Sequence, residues 1–179
     1  MTLASTVNIL LSVLVVVGQL GLVLAIVSYC TDKKFIRFLG TRAFLFSFIV
    51  SLIAMLGSLT YSNILGYAPC VLCWYQRILM YPLVFMFGLA LKRKEVLIAP
   101  YALLLSVIGA IIALYHYLMQ LGIVPEGSCG AVGYSVSCAQ RFVMNFGYIT
   151  IPMMALTAFL LIITFILSER YVSRNQNIS

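Results

Sequence analysis

Residues 96–119 read Val-Leu-Ile-Ala-Pro-Tyr-Ala-Leu-Leu-Leu-Ser-Val-Ile-Gly-Ala-Ile-Ile-Ala-Leu-Tyr-His-Tyr-Leu-Met, with no Lys, Arg, Asp or Glu. An apolar helix of about 20 residues crosses the hydrocarbon core of a bilayer, so Val96–Met119 is a span. Four more stretches qualify: Val7–Tyr29, Ala43–Leu65, Trp74–Leu91 and Tyr148–Ser168. The third is the shortest and carries Gln76, Arg77 and Pro82, a proline that a membrane bundle tolerates. The whole chain agrees. Its 179 residues are 64% hydrophobic and 8% charged, whereas a soluble domain is about 25% charged. Mean hydropathy is +1.13. A soluble globular protein, a disordered chain and a collagen-like chain are excluded. The expectation is an all-α integral membrane protein with five spans and no soluble domain. The first span lacks the basic start, short apolar core and A-x-A site of a cleaved leader, so it is expected to be retained.

The net charge of +7 invites a nucleic-acid reading, but its placement answers differently. Lys33, Lys34, Arg37 and Arg42 follow the first span; Lys92, Arg93 and Lys94 follow the third; Arg170 and Arg174 follow the fifth. Only Arg77 and Arg141 fall on the other side. By the positive-inside rule the N-terminus is outside and the C-terminus is cytoplasmic. The basic surplus then needs no nucleic acid.

This topology partitions the cysteines. Cys70 and Cys73 lie in the outer loop between spans two and three. Cys129 and Cys138 lie in the outer loop between spans four and five, and Cys30 sits at the cytoplasmic end of span one. Two potential pairs thus face the oxidising compartment. The first stands in Tyr67-Ala-Pro-Cys-Val-Leu-Cys-Trp-Tyr-Gln-Arg77. With Pro69 in the first turn of a helix, Cys70, Cys73, Trp74 and Arg77 share one stripe. A helix N-terminus, the CxxC spacing and a permanent cation all favour a thiolate. The competing readings are half a zinc site or a static disulfide for CxxC, and a snorkelling interface anchor for Arg77.

The segment Gln120–Gly147 is the one sizeable loop, and Gly130 and Gly133 lie between its cysteines. A pair in such a loop suits exchange with a protein partner; a plain loop staple is the alternative. His116, within Tyr115-His-Tyr117, is either an aromatic-belt residue or a hydrogen-bond donor or proton relay at a quinone carbonyl. Cys30 is read as a small thiol without a redox role.

These residues resemble the DsbB family of disulfide-bond formation proteins, most closely its shorter BdbC-type branch from Gram-positive bacteria. Four segments carry the resemblance: Pro69-Cys-Val-Leu-Cys-Trp-Tyr-Gln-Arg-Ile-Leu-Met-Tyr-Pro82, Tyr115-His-Tyr-Leu118, Cys129 through Ser137-Cys-Ala-Gln140, and Phe146-Gly-Tyr-Ile-Thr-Ile-Pro152. It covers roughly residues 43–168. It implies a DsbB-like four-helix bundle over 43–168, preceded by an extra transmembrane helix and basic loop over 1–42 and followed by a cytoplasmic tail over 169–179. It further implies a thiol oxidase of the plasma membrane with disulfides Cys70–Cys73 and Cys129–Cys138. The loop pair would oxidise a DsbA- or BdbD-like thioredoxin-fold partner, with Cys129 expected in the mixed disulfide. Electrons would then pass to Cys70 and Cys73 and on to a membrane quinone, menaquinone or ubiquinone, beside Arg77 and His116, without a metal. The interval from Cys129 to Cys138 is shorter than in Gram-negative members, so no amphipathic helix is expected in that loop.

Other functions remain in view. A vitamin K epoxide reductase-type enzyme uses similar chemistry, but there the CxxC follows the loop pair. A non-enzymatic membrane protein would hold both pairs as structural disulfides. An outward thiol transporter needs cysteine pairs within the spans or on the cytoplasmic side, where only Cys30 lies.

Overall fold

A computed structural model describes residues 3–31, 33–93, 97–125 and 136–176. Six α-helices follow one another: α1 (Leu3–Thr31), α2 (Lys33–Thr41), α3 (Ala43–Leu59), α4 (Val71–Arg93), α5 (Ala99–Gln120) and α6 (Ile151–Gln176). A π-helical turn over Thr60–Ile64 extends α3. Five of these helices are long and apolar enough to cross a membrane, as the sequence leads one to expect. Among the described residues the only β pairing is one bridge between Asn145 and Ile149.

Helices α3, α4, α5 and α6 close a ring in which each packs on its neighbours, and α1 and α2 pack against α6 from outside. Leu83, Phe87, Ala102, Ala113, Phe159 and Ile162 are fully buried inside the ring. Phe85, Leu97, Tyr101 and Ile111 stand exposed on its outside, as lipid-facing positions do. Lipid is as apolar as the side chains, so close packing over small residues holds such helices together. Gly109 of α5 is the clearest case, because a Cβ there would press into the distal edge of the Phe159 ring of α6, closer than van der Waals contact allows. That ring is buried and has nowhere to go. Gly109→Ala should therefore cost about 1–3 kcal/mol through overpacking, read as a lowered thermal midpoint in detergent micelles.

Several boundaries differ from the sequence reading: the first span starts at Leu3, not Val7, and the fourth at Ala99, not Val96. The third span starts at Val71, not Trp74, and the fifth at Ile151, not Tyr148. Cys70 caps the former, and the tight turn at 145–149 precedes the latter. The basic stretch after the first span is a helix, α2, rather than a loop. Ile36, Leu39 and Gly40 face inward while Lys34, Arg37 and Phe38 are exposed. Its charges masked that helical period. Helix α6 also runs past Ser168 to Gln176, with Ser173 Oγ donating to Glu169 Oε1 one turn back at 2.6 Å.

Candidate redox site

The CxxC segment sits where Gly66, at φ +71°, turns the chain from the π-helical turn towards α4. Pro69 lies just before the helix rather than in its first turn. Cys70 is the residue that caps it: its carbonyl accepts from Trp74 N–H at 3.1 Å, and its sulfur accepts from Cys73 N–H at 3.4 Å. The sulfur thus takes the place that a serine or aspartate oxygen usually holds. The Cys70 thiol donates to Cys73 Sγ at 3.0 Å. That is a contact between two thiols, longer than the roughly 2.05 Å of an S–S bond.

The expected juxtaposition of the two outer loops is present in its described half. Cys138 and Cys70 belong to one buried cluster with Leu72 and Met119. Cys129 lies outside the described residues. The loop segment over 136–150 is tied to the end of α5, where Gln120 Nε2 donates to the Gln140 carbonyl at 3.1 Å and Tyr117 OH to the Tyr148 carbonyl at 3.2 Å.

His116 joins the two segments. It is 1% exposed, so the aromatic-belt reading fails: the ring is turned inward. Gln76 Nε2 donates to His116 Nδ1 at 3.1 Å. This leaves the proton on Nε2, which donates to the Cys138 carbonyl at 3.0 Å and lies 3.7 Å from Cys70 Sγ. Cys70 Sγ, Cys73 Sγ and a His116 nitrogen all lie within 4.8 Å of one another. A thiophilic cation such as zinc could use these three atoms, but only when both thiols are reduced.

The Cys70 thiol is pushed up to about 12 by its hydrogen bond to Cys73 and by burial, with the His116 hydrogen bond pulling the other way. The proton therefore stays on Cys70 while its neighbour's sulfur accepts the hydrogen bond. The fold favours the protonated form, so that contribution to stability is complete below the ordinary thiol range. It is lost as pH rises through the raised value.

The Arg77 guanidinium is anchored on α3, and its charge acts on Cys73 from there. Its Nε donates to Ser58 Oγ at 2.9 Å and its terminal nitrogen to the Ser58 carbonyl at 3.0 Å. Its guanidinium lies 5.3 Å from the Trp74 ring centroid. Tyr81 OH donates to the same Ser58 hydroxyl at 3.3 Å. Gln76, Ser58 and Tyr81 are the site residues that sequence reasoning missed. Gln76 carried a signal, being a polar side chain in an apolar span one turn after CxxC.

Cys70, Cys73, Gln76, Arg77 and His116 all line one cavity of about 460 Å³. Tyr61, Tyr67 and Phe142 stack over its cysteine end, with centroids 5.8 and 5.0 Å apart. Away from that end its walls are mostly aliphatic and aromatic, with Thr157 and Thr164 of α6 among them.

The family model described as "Disulfide bond formation protein DsbB" matches residues 40–168. The chain belongs to the DsbB family. It is 48% identical over 124 residues to "Disulfide bond formation protein C" of Bacillus subtilis (strain 168), covering 66% of this chain and 86% of that protein. A "Probable disulfide formation protein" of Oceanobacillus iheyensis is 46% identical over 64% of this chain and 79% of its own length. The "SPbeta prophage-derived disulfide bond formation protein B" of Bacillus subtilis is 38% identical over 75% of this chain and 93% of its own length. No solved structure matches. The resemblance to the BdbC-type branch of the DsbB family thus holds, and the chain is a membrane-helix member of a disulfide-formation family. The DsbB family match begins after α1, which lies wholly before residue 40.

Proposed function

We propose that this protein is a membrane thiol oxidase that reoxidises a DsbA-like thioredoxin-fold dithiol and passes the electron pair to a membrane quinone. One observation supports it above the rest: Cys138 and the CxxC dithiol share one buried cluster at the mouth of an apolar cavity. The positive-inside distribution supports a reading with this end of the bundle outside the cell. Cys30, at the other end of α1, has no part in the relay.

The chemistry is two thiol–disulfide exchanges. A partner thiolate attacks the Cys129–Cys138 disulfide at Cys129, and the second partner thiolate resolves the mixed disulfide. The partner leaves oxidised, and Cys129 and Cys138 leave reduced. Cys138 then attacks Cys70 of the Cys70–Cys73 disulfide and releases Cys73 as thiolate. Cys129 resolves the Cys70–Cys138 bond, which restores the loop disulfide and leaves the CxxC dithiol. When bound, a quinone supplies an acceptor for two electrons and two protons. The cavity fits such a group, because apolar walls end in the Arg77 guanidinium and the His116 ring. Arg77, anchored by Ser58, would offer a fixed cation to the oxygen of a bound acceptor.

The test uses purified protein in detergent, a reduced thioredoxin-fold dithiol and either menaquinone or ubiquinone. Dithiol oxidation should require quinone, with one quinone reduced per disulfide formed. Absence of turnover with both quinones and a competent dithiol would favour structural disulfides. Reduction of a quinone epoxide in its place would favour the vitamin K epoxide reductase-type reading.

A further inference from the structure

We propose that α1, the helix outside the family match, is one wall of a channel that holds the polyprenyl tail of the acceptor quinone. Gly21 is the position that keeps this channel open. The inference rests on the quinone reading above and concerns a part of the site that the four-helix ring does not supply.

The cavity at the CxxC pair does not end there. It continues between α1 and the ring, past Gly18, Gly21 and Ala25 on one side and Val50, Ile53 and Phe46 of α3 on the other. Helix α1 is fixed on its α6 side. Gln19 Nε2 donates to Thr157 Oγ1 at 3.4 Å, and Gly18 lies so close to Leu161 that a Cβ there would crowd it. At the cysteine end Tyr148 OH donates to Gln19 Oε1 at 2.7 Å, and Asn145 Nδ2 donates to Ser12 Oγ at 2.8 Å and to the Asn8 carbonyl at 3.0 Å. On the α3 side Leu11 closes over Gly57, but deeper down Gly21 has no atom within 4 Å of where its Cβ would be.

The result is one space with a polar head end and a long apolar remainder. A ring that accepts electrons at the thiols and carries a branched hydrocarbon tail has that shape. The tail gains little hydrophobic energy by leaving lipid, so the channel selects by shape and holds the head in register with the cysteines.

Trp74, the single tryptophan, stacks on Arg77 and reports binding by fluorescence quenching without turnover. Purified protein is titrated with a quinone carrying a long isoprenoid tail and with one carrying a single isoprene unit. Wild type should bind both. Gly21→Leu should weaken the long-tailed quinone roughly tenfold and leave the short one unchanged. Ile53→Phe, on the opposite wall, should do the same, while Gly21→Ala stays near wild type. Equal loss for both quinones in both variants, or no change for either, overturns the tail channel. The second result is also what a lipid acyl chain in this space would give. Absence of quenching in wild type by either quinone would instead remove the acceptor reading itself.

Discussion

Cys73→Ser should reduce quinone reduction to background, a loss of at least about a thousandfold, while leaving the protein folded. Cys73 carries little packing, since it only fringes the buried cluster of Cys70, Leu72, Met119 and Cys138. The substitution also keeps a hydrogen-bond acceptor beside Cys70. What it removes is the sulfur that leaves when Cys70 is attacked and that lines the cavity beside the Arg77 turn. The variant has a second signature. Combined with Cys129→Ser, which removes the thiol that resolves this bond in the relay, oxidation should trap a Cys70–Cys138 disulfide, because Cys70 stays next to Cys138. Peptide mass mapping under non-reducing conditions reads that bond directly. A variant that keeps wild-type turnover would show that the electron pair leaves from elsewhere.

The spans, the CxxC segment and the gathering of both outer segments at one end were legible because each is written in local composition. Charge-free runs mark helices in lipid, and Pro69-Cys70-Val71-Leu72-Cys73 marks a helix start. What was not legible depends on contacts across the chain. His116 is flanked by Tyr115 and Tyr117 and looks interfacial in sequence. Its partners Gln76 and Cys138 lie 40 and 22 positions away, and no spacing rule brings them together. Arg77 follows the cysteines at helical spacing, yet Ser58, 19 positions earlier on α3, decides where its guanidinium points. The first helix read as an addition of unknown purpose. Its open side at Gly21 is visible only once α3 stands opposite.

His116→Ala should lower turnover roughly a hundredfold, and the sign of one further change tells why. The ring bridges Gln76, the Cys138 carbonyl and Cys70 Sγ. Its loss removes the hydrogen bonds to Gln76 and to the Cys138 carbonyl, opens a void and costs about 2–4 kcal/mol of stability. A purely structural role predicts that Cys70, now beside a void, becomes easier to alkylate in the reduced protein. The hydrogen bond from His116 predicts the reverse. That bond opposes the rise of the Cys70 thiol, so removing it drives the thiol further up and slows alkylation at any fixed pH below about 12. Between pH 8 and 10 a thiol raised in this way is ionised far less than an ordinary one. Site-resolved alkylation between pH 8 and 10 therefore has ample range to register the sign. His116→Gln places an N–H donor near the position of Nε2 and should recover much of the Cys70 reactivity, without the ring that accepts from Gln76. Faster alkylation of Cys70 in His116→Ala, with no recovery in His116→Gln, would assign the histidine to packing alone.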